Sequence, residues 1–231
     1  SFRPYINFND DQRTGFDIAV NYKKQLGDFG FQIGANYTYY TTKATKRDDT
    51  NYADKYQYRE GKPLDTVWGY ECLGFFKDNA DIQASADQSW FGQTIAPGDL
   101  KYKDVNGDGI VDGGDVVAIG ATERPNLIYG VGLSARWKSF DFNVHFQGAG
   151  KSSYCIQGPS VYAFSEKTVG NILPDLVNGR WTEENPNPNA SYPRLSYGGN
   201  ANNYRASTFW LRNGSYLRLK TLEIGYNLPQ K

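Results

Sequence analysis

Apolar and polar residues alternate with a period of two along several stretches of the chain. Phe16, Ile18, Val20 and Tyr22 alternate with Asp17, Ala19 and Asn21; beyond the turn Leu26-Gly-Asp-Phe-Gly30, Phe31, Ile33, Ala35, Tyr37 and Tyr39 alternate with Gln32, Gly34, Asn36 and Thr38. This pattern predicts a β-hairpin with strands of about the 9–11 residues a tilted membrane strand needs. A second hairpin follows. Leu127, Tyr129, Val131, Leu133, Ala135 and Trp137 lead to a tight turn at Lys138-Ser139, and Phe140, Phe142, Val144 and Phe146 alternate with Asp141, Asn143, His145 and Gln147. Further strand signals lie at Val67–Phe76 and Phe209–Tyr226. In the last, the apolar parity shifts from Leu217 and Leu219 to Leu222, Ile224 and Tyr226, which predicts a bulge near Lys220.

A soluble sandwich and a membrane barrel both produce this alternation. Aromatic residues at strand ends (Tyr37, Tyr39, Tyr129, Trp137, Phe140) favour the girdles of a barrel. So does the contrast between short turns and the long polar stretches 43–66, 78–126 and 150–208. Short helices are expected only at Ala80–Ser89 and Ser165–Arg180, the second interrupted by Pro174. The predicted fold class is all-β, an antiparallel segment of a large outer-membrane β-barrel with long extracellular loops.

Composition sharpens the picture. The 231 residues carry 18 Tyr, 13 Phe, 5 Trp and 25 Gly, a mixture suited to strands and turns and poor for helices. Lys and Arg (25) balance Asp and Glu (25), which removes the basic surface that nucleic acid requires. No run of 18 apolar residues predicts a membrane-spanning helix. The absence of Met, even at position 1, suggests a piece of a longer product. Two cysteines, Cys72 and Cys155, are too few for a disulfide scaffold and are expected to be unpaired and semi-buried.

The sharpest chemical motif is Asp104-Val-Asn-Gly-Asp-Gly-Ile-Val-Asp-Gly-Gly-Asp115, within a calcium-loop-like segment spanning 97–120. Asp104, Asn106, Asp108, Asp112 and Asp115 fall at positions 1, 3, 5, 9 and 12, with Gly109 at the sharp turn and the Ile110 carbonyl at the seventh. Hard oxygens at this spacing suit a structural Ca²⁺; the same residues also form solvated turns for local reasons. Aspartate at the twelfth position, where EF-hands place glutamate, shortens the reach to an ion, and no helices are expected to flank the loop. His145 is the only histidine, so a His-based metal cluster or a Ser/His/Asp triad would have to be built around it. It alternates with the polar set, as a lumen-lining residue would. Loop aromatics could stack on sugars or pack the loops; among them Trp90, Tyr154 and Tyr162 are the candidate ligand contacts.

Several ordered motifs together resemble the SusC/RagA group of TonB-dependent outer-membrane transporters. They are Tyr58-Arg-Glu-Gly-Lys-Pro-Leu64, Gly69-Tyr-Glu-Cys-Leu-Gly-Phe-Phe76, Pro97 through Gly109, Phe140-Asp-Phe-Asn-Val-His-Phe-Gln-Gly148, Arg180-Trp-Thr-Glu-Glu-Asn-Pro186, Ser191-Tyr-Pro-Arg-Leu195 and Phe209 through Lys220. The resemblance, to the C-terminal part of these transporters, implies a plugged barrel of about 22 strands, of which residues 1–231 would supply roughly a third, without the plug, the TonB-interacting segment or the last strand. It also implies import of glycans, oligosaccharides or peptides with a SusD-like surface lipoprotein as lid. Energy would come through TonB, the barrel would sit in outer-membrane lipid, and no catalytic residue would be needed. A soluble β-rich, Ca²⁺-dependent glycan-binding module is the alternative.

Overall fold

The computed structural model describes residues 6–165 and 172–228. In chain order, the long strands β1 (Asp10–Leu26) and β2 (Phe29–Lys46) form the first hairpin. The short strands β3 (Thr66–Gly69) and β4 (Cys72–Phe75) precede helix α1 (Asn79–Gln83), β5 (Leu100–Tyr102) and β6 (Val117–Thr122). The second hairpin is β7 (Leu127–Trp137) and β8 (Phe140–Gly150). The chain ends with β9 (Ser153–Cys155), helix α2 (Pro174–Gly179), β10 (Leu211–Asn213) and β11 (Tyr216–Tyr226).

The five long strands make one antiparallel sheet in the order β1-β2-β7-β8-β11. Its register keeps the two residue sets apart. Val20 faces Ala35, which faces Val131 and then Phe146; Asn21 faces Gly34, then Gly132, then His145. Leu219 pairs with Phe146 and Thr221 with His145, so Lys220 is the extra residue that returns Leu222, Ile224 and Tyr226 to the apolar face. That face is bare: Ile18 is 52% exposed, Val20 58% and Ile224 77%. On the other face Ser134 donates to Asn143, which donates to Glu223. Both hairpin turns are two residues long; Gly27 adopts φ 60° in the first and Lys138 φ 52° in the second. An 11-residue strand such as β7 or β8 rises about 36 Å and, tilted about 45°, crosses about 25 Å, the height of an outer-membrane apolar band.

At the other end of the sheet the long polar stretches do not remain solvated loops. They fold into a cap with its own core of Tyr70, Phe91, Leu100, Tyr102, Val111 and Trp210. The pairs β3–β6, β4–β5 and β9–β10 stitch it together. The strand signal at Val67–Phe76 is therefore two short strands that turn into the cap at Tyr70 and Glu71. The helix expected at Ala80–Ser89 is shorter: α1 starts one residue earlier, capped by the Asp78 side chain on the Asp81 amide, and is followed by a 3-10 turn at Ser89–Phe91. Of the helix expected at Ser165–Arg180, residues 166–171 lie outside the described residues, and the remainder forms α2 with Pro174 in its first turn. No helix among the described residues is long and apolar enough to cross a membrane.

Candidate functional site

The cap contains the candidate metal-loop residues and the three candidate ligand aromatics, and its internal bonding shows how they are held. Its centre is Asp99, 0% exposed. One carboxylate oxygen accepts from Asn200 Nδ2 and Asn203 Nδ2, both at 2.9 Å; the other accepts from the Ala96 amide (2.8 Å) and Arg194 Nη2 (3.0 Å). Gln88 donates to Asn202 Oδ1 and accepts from the Tyr102 amide, while Trp210 Nε1 donates to the Asn203 carbonyl. A buried carboxylate is tolerated only when its lone pairs are met in this way. The network ties stretch 78–126 to stretch 150–208. Sequence reasoning missed it because Asp, Asn and Gln in a Gly-rich run read as surface turn. Beside it, Gly98 (φ 85°) lies directly under the Trp181 ring, where a Cβ would collide.

The Asp104–Asp115 loop closes on its own amides. Asp104 accepts from the Gly107 and Gly109 amides, Asn106 from that of Asp108, Asp108 from that of Ile110, and Asp112 from that of Gly114. Asp115, also 0% exposed, takes the amides of Val105 (2.6 Å) and Asp112 (2.8 Å) and a longer bond from Asn106. It thereby completes a capping box with Asp112 around the 3-10 turn Gly113–Asp115. As expected, extended strands β5 and β6, not helices, flank the loop. Ile110 forms a bridge with Asp87, through Asp87 N to Gly109 O and Val111 N to Asp87 O. Among the described residues no group of three or more His, Cys, Asp or Glu side chains is gathered to hold a metal ion. The twelfth-position carboxylate accepts from backbone amides in this arrangement.

The loop is also clamped from outside. Tyr56 donates its hydroxyl to the Gly114 carbonyl at 2.6 Å, and Gln57 donates to that of Gly113 at 2.7 Å. Burial, together with the negative charge of Asp54, Asp115 and Asp104, pushes the Tyr56 phenol up to about 12.

The three candidate ligand aromatics separate. Tyr162 stacks on Tyr204 at 4.6 Å and sits edge-on to Trp210. Trp90 (57% exposed) and Tyr154 (50%) present free ring surface from the Ser89–Phe91 turn and from β9. Next to Trp90 opens a cleft of about 600 Å³ whose lining includes Phe76, Ile82, Gln83, Gln93 and Thr94. The lone carboxylate lining it, Asp87, is occupied by the Ser89 amide and hydroxyl. His145 stands in the polar row, against Gly132. Cys72 and Cys155 are free and partly buried, and burial pushes the Cys72 thiol up to about 11.

With this geometry in view, comparisons with known proteins identify relatives. No protein-family model matches the chain. It is 32% identical over 170 residues to TonB-dependent receptor P26 of Formosa agariphila, covering 73% of the chain, and 25% identical over 241 residues to TonB-dependent receptor P3 of the same organism, covering 97%. The chain spans 16% and 22% of those two receptors. Among solved structures, the RagAB peptide transporter matches 99% of the chain at TM-score 0.67 and 22% identity, with 24% of the transporter chain covered. The RagAB peptide importer in its open-open state matches 96% at TM-score 0.64 and 20% identity, with 23% covered. TonB-dependent receptors are non-enzymatic outer-membrane proteins, in keeping with a bare apolar sheet face. The chain is homologous to TonB-dependent receptors, and its fold is that of one portion of a SusC/RagA-like outer-membrane barrel.

Proposed function

We propose that this chain forms part of the wall and extracellular cap of a TonB-dependent importer that takes up an oligomeric nutrient, a peptide or an oligosaccharide, with a SusD-like surface lipoprotein as partner. The observation that carries the reading is the division of the five-stranded sheet into an apolar, exposed face and a polar face, with a folded cap at one end. Lipid on the first face removes the cost of exposing Phe16, Ile18, Val20, Leu222 and Ile224 to water, and the polar face lines the lumen. The RagAB structures support both the import reading and a partner protein. The 600 Å³ cleft beside Trp90 is lined mostly by uncharged side chains, its one carboxylate, Asp87, being bonded to Ser89, and suits an uncharged ligand that hydrogen-bonds to Gln83, Gln93 and Thr94.

Within this reading the 97–120 segment is a clamp that orders the cap, closed by its own amides and by Tyr56. The soluble glycan-binding alternative leaves the apolar face and both sheet edges uncovered in water. The test is uptake by cells carrying the full-length protein: accumulation of a labelled oligopeptide pool or oligosaccharide pool that depends on both TonB and the cognate lipoprotein supports the proposal. Recovery of the full-length protein in the soluble fraction, with no TonB-dependent uptake of either pool, contradicts it.

A further inference from the structure

We propose that the cleft at the cap end of β2, lined by Lys43, Thr45, Lys55 and Tyr58, binds a phosphate group of an outer-leaflet lipid headgroup; this rests on the outer-membrane reading of the sheet. The cleft has a volume of about 510 Å³. Neither Lys43 nor Lys55 has an ion-pair partner among the described residues, and Glu60 is the only acid on the rim. The Thr45 hydroxyl is buried without a hydrogen-bond partner among the described residues. Two ammonium groups without an ion-pair partner among the described residues, lining one cleft, are a charged donor set for a compact oxyanion.

The position on the strand selects the source of that oxyanion. Lys43 pairs with Gln12 and belongs to the alternate set of Phe31, Ile33, Tyr37 and Tyr39, the set on the lipid face; its neighbours Thr42 and Ala44 are buried toward the cap. Thr45 lies at the bulge where Asp11 pairs with Ala44 and Asp10 with Lys46. Tyr39 marks the edge of the apolar band, where the Lys151 ammonium donates to its hydroxyl at 3.2 Å and lies 4.4 Å from its ring centre. Lys43 is four residues further along, about 13 Å on the strand and about 9 Å along the membrane normal at a 45° tilt, at headgroup height. A ligand travelling through the lumen meets the opposite row, Asn21, Gly34, Gly132 and His145.

The test is native mass spectrometry of the full-length protein in detergent, titrated separately with diphosphorylated lipid A, dephosphorylated lipid A and inorganic phosphate. Diphosphorylated lipid A is expected to bind, with affinity lowered about tenfold or more in K43Q/K55Q and retained in K43R/K55R; dephosphorylated lipid A is expected to bind wild type no better than the Gln variant binds the phosphorylated form. Equal binding of the two lipids by wild type overturns the proposal even if the Gln variant fails to fold. Undiminished binding by a folded K43Q/K55Q overturns it as well, and inorganic phosphate binding as tightly as the lipid overturns the lipid as source. Import is not read in this assay, so its outcome is independent of the transport proposal.

Discussion

Asp115 is where the calcium-like loop closes, and its bonding makes a prediction that separates a metal clamp from a protein clamp. Replacing it by alanine strips the amides of Val105 and Asp112 of their acceptor inside the cap. Such losses cost about 1–3 kcal/mol for each buried donor. Hydrogen exchange on the full-length protein is therefore expected to show D115A losing protection across residues 104–115, and wild type keeping it in the presence of a calcium chelator. Tyr56 supplies a pH-dependent element of the same clamp. Its folded pKa of about 12 lies above the ordinary 10, so its contribution is fully present below pH 10 and is lost as pH rises through about 12. Tyrosinate absorbance, taken as the difference between wild type and Y56F, is expected to give a midpoint near 12 for this residue; a midpoint at 10 would mean the phenol is not buried beside Asp54, Asp115 and Asp104.

At the scale of elements, the two hairpins and the bulge test different things. Deleting the extra residue Lys220 removes the bulge and leaves every other pair in place, whereas inserting one residue between Leu222 and Glu223 places Ile224 and Tyr226 on the polar face and Glu223 toward lipid, because a one-residue slip exchanges the faces of a strand. The insertion variant is expected to fail to reach the heat-modifiable, folded form of the full-length barrel on gels, whereas the Lys220 deletion and the exposed substitution K220A assemble normally. The long strands and this bulge were legible in the sequence because each face has one environment along its length, so burial and chemistry follow the period of two. The cap was not legible. Its core residues Tyr70, Leu100, Tyr102, Val111 and Trp210 come from elements only three or four residues long or from loops, too short to show a period. Its central carboxylate, Asp99, is buried among Asn side chains whose composition reads as solvent-exposed turn. The calcium-like spacing was legible, but spacing alone does not say which lone pairs are already taken by amides. For Tyr162 the sequence could not foresee the ring stack with Tyr204, because the two residues are 42 positions apart.

At the scale of the molecule, the sheet and the cap meet different media and are held by different forces. The sheet offers an apolar face to lipid and depends on neighbouring strands at β1 and β11. The cap is a packed unit whose two long segments are joined through Asp99. D99A is accordingly expected to loosen stretches 78–126 and 150–208 together, seen as new protease cleavage in both, while the barrel remains folded; cleavage confined to one stretch would refute the joint cap. Charge on the lipid face is expected to be costly where the same charge on the polar face is not: V20R at mid-membrane destabilises the barrel by about 2–4 kcal/mol in denaturant titrations and N21R does not. The most direct test of the central claim, that one face of this sheet meets lipid and the other the lumen, is spin-label accessibility in liposomes. Single cysteines at positions 16–22 of the full-length protein would be labelled in a C72S/C155S background. The account predicts that labels at Phe16, Ile18, Val20 and Tyr22 collide with oxygen dissolved in the bilayer, and labels at Asp17, Ala19 and Asn21 with a water-soluble relaxant. Water-soluble collisions of equal strength at all seven positions would contradict it.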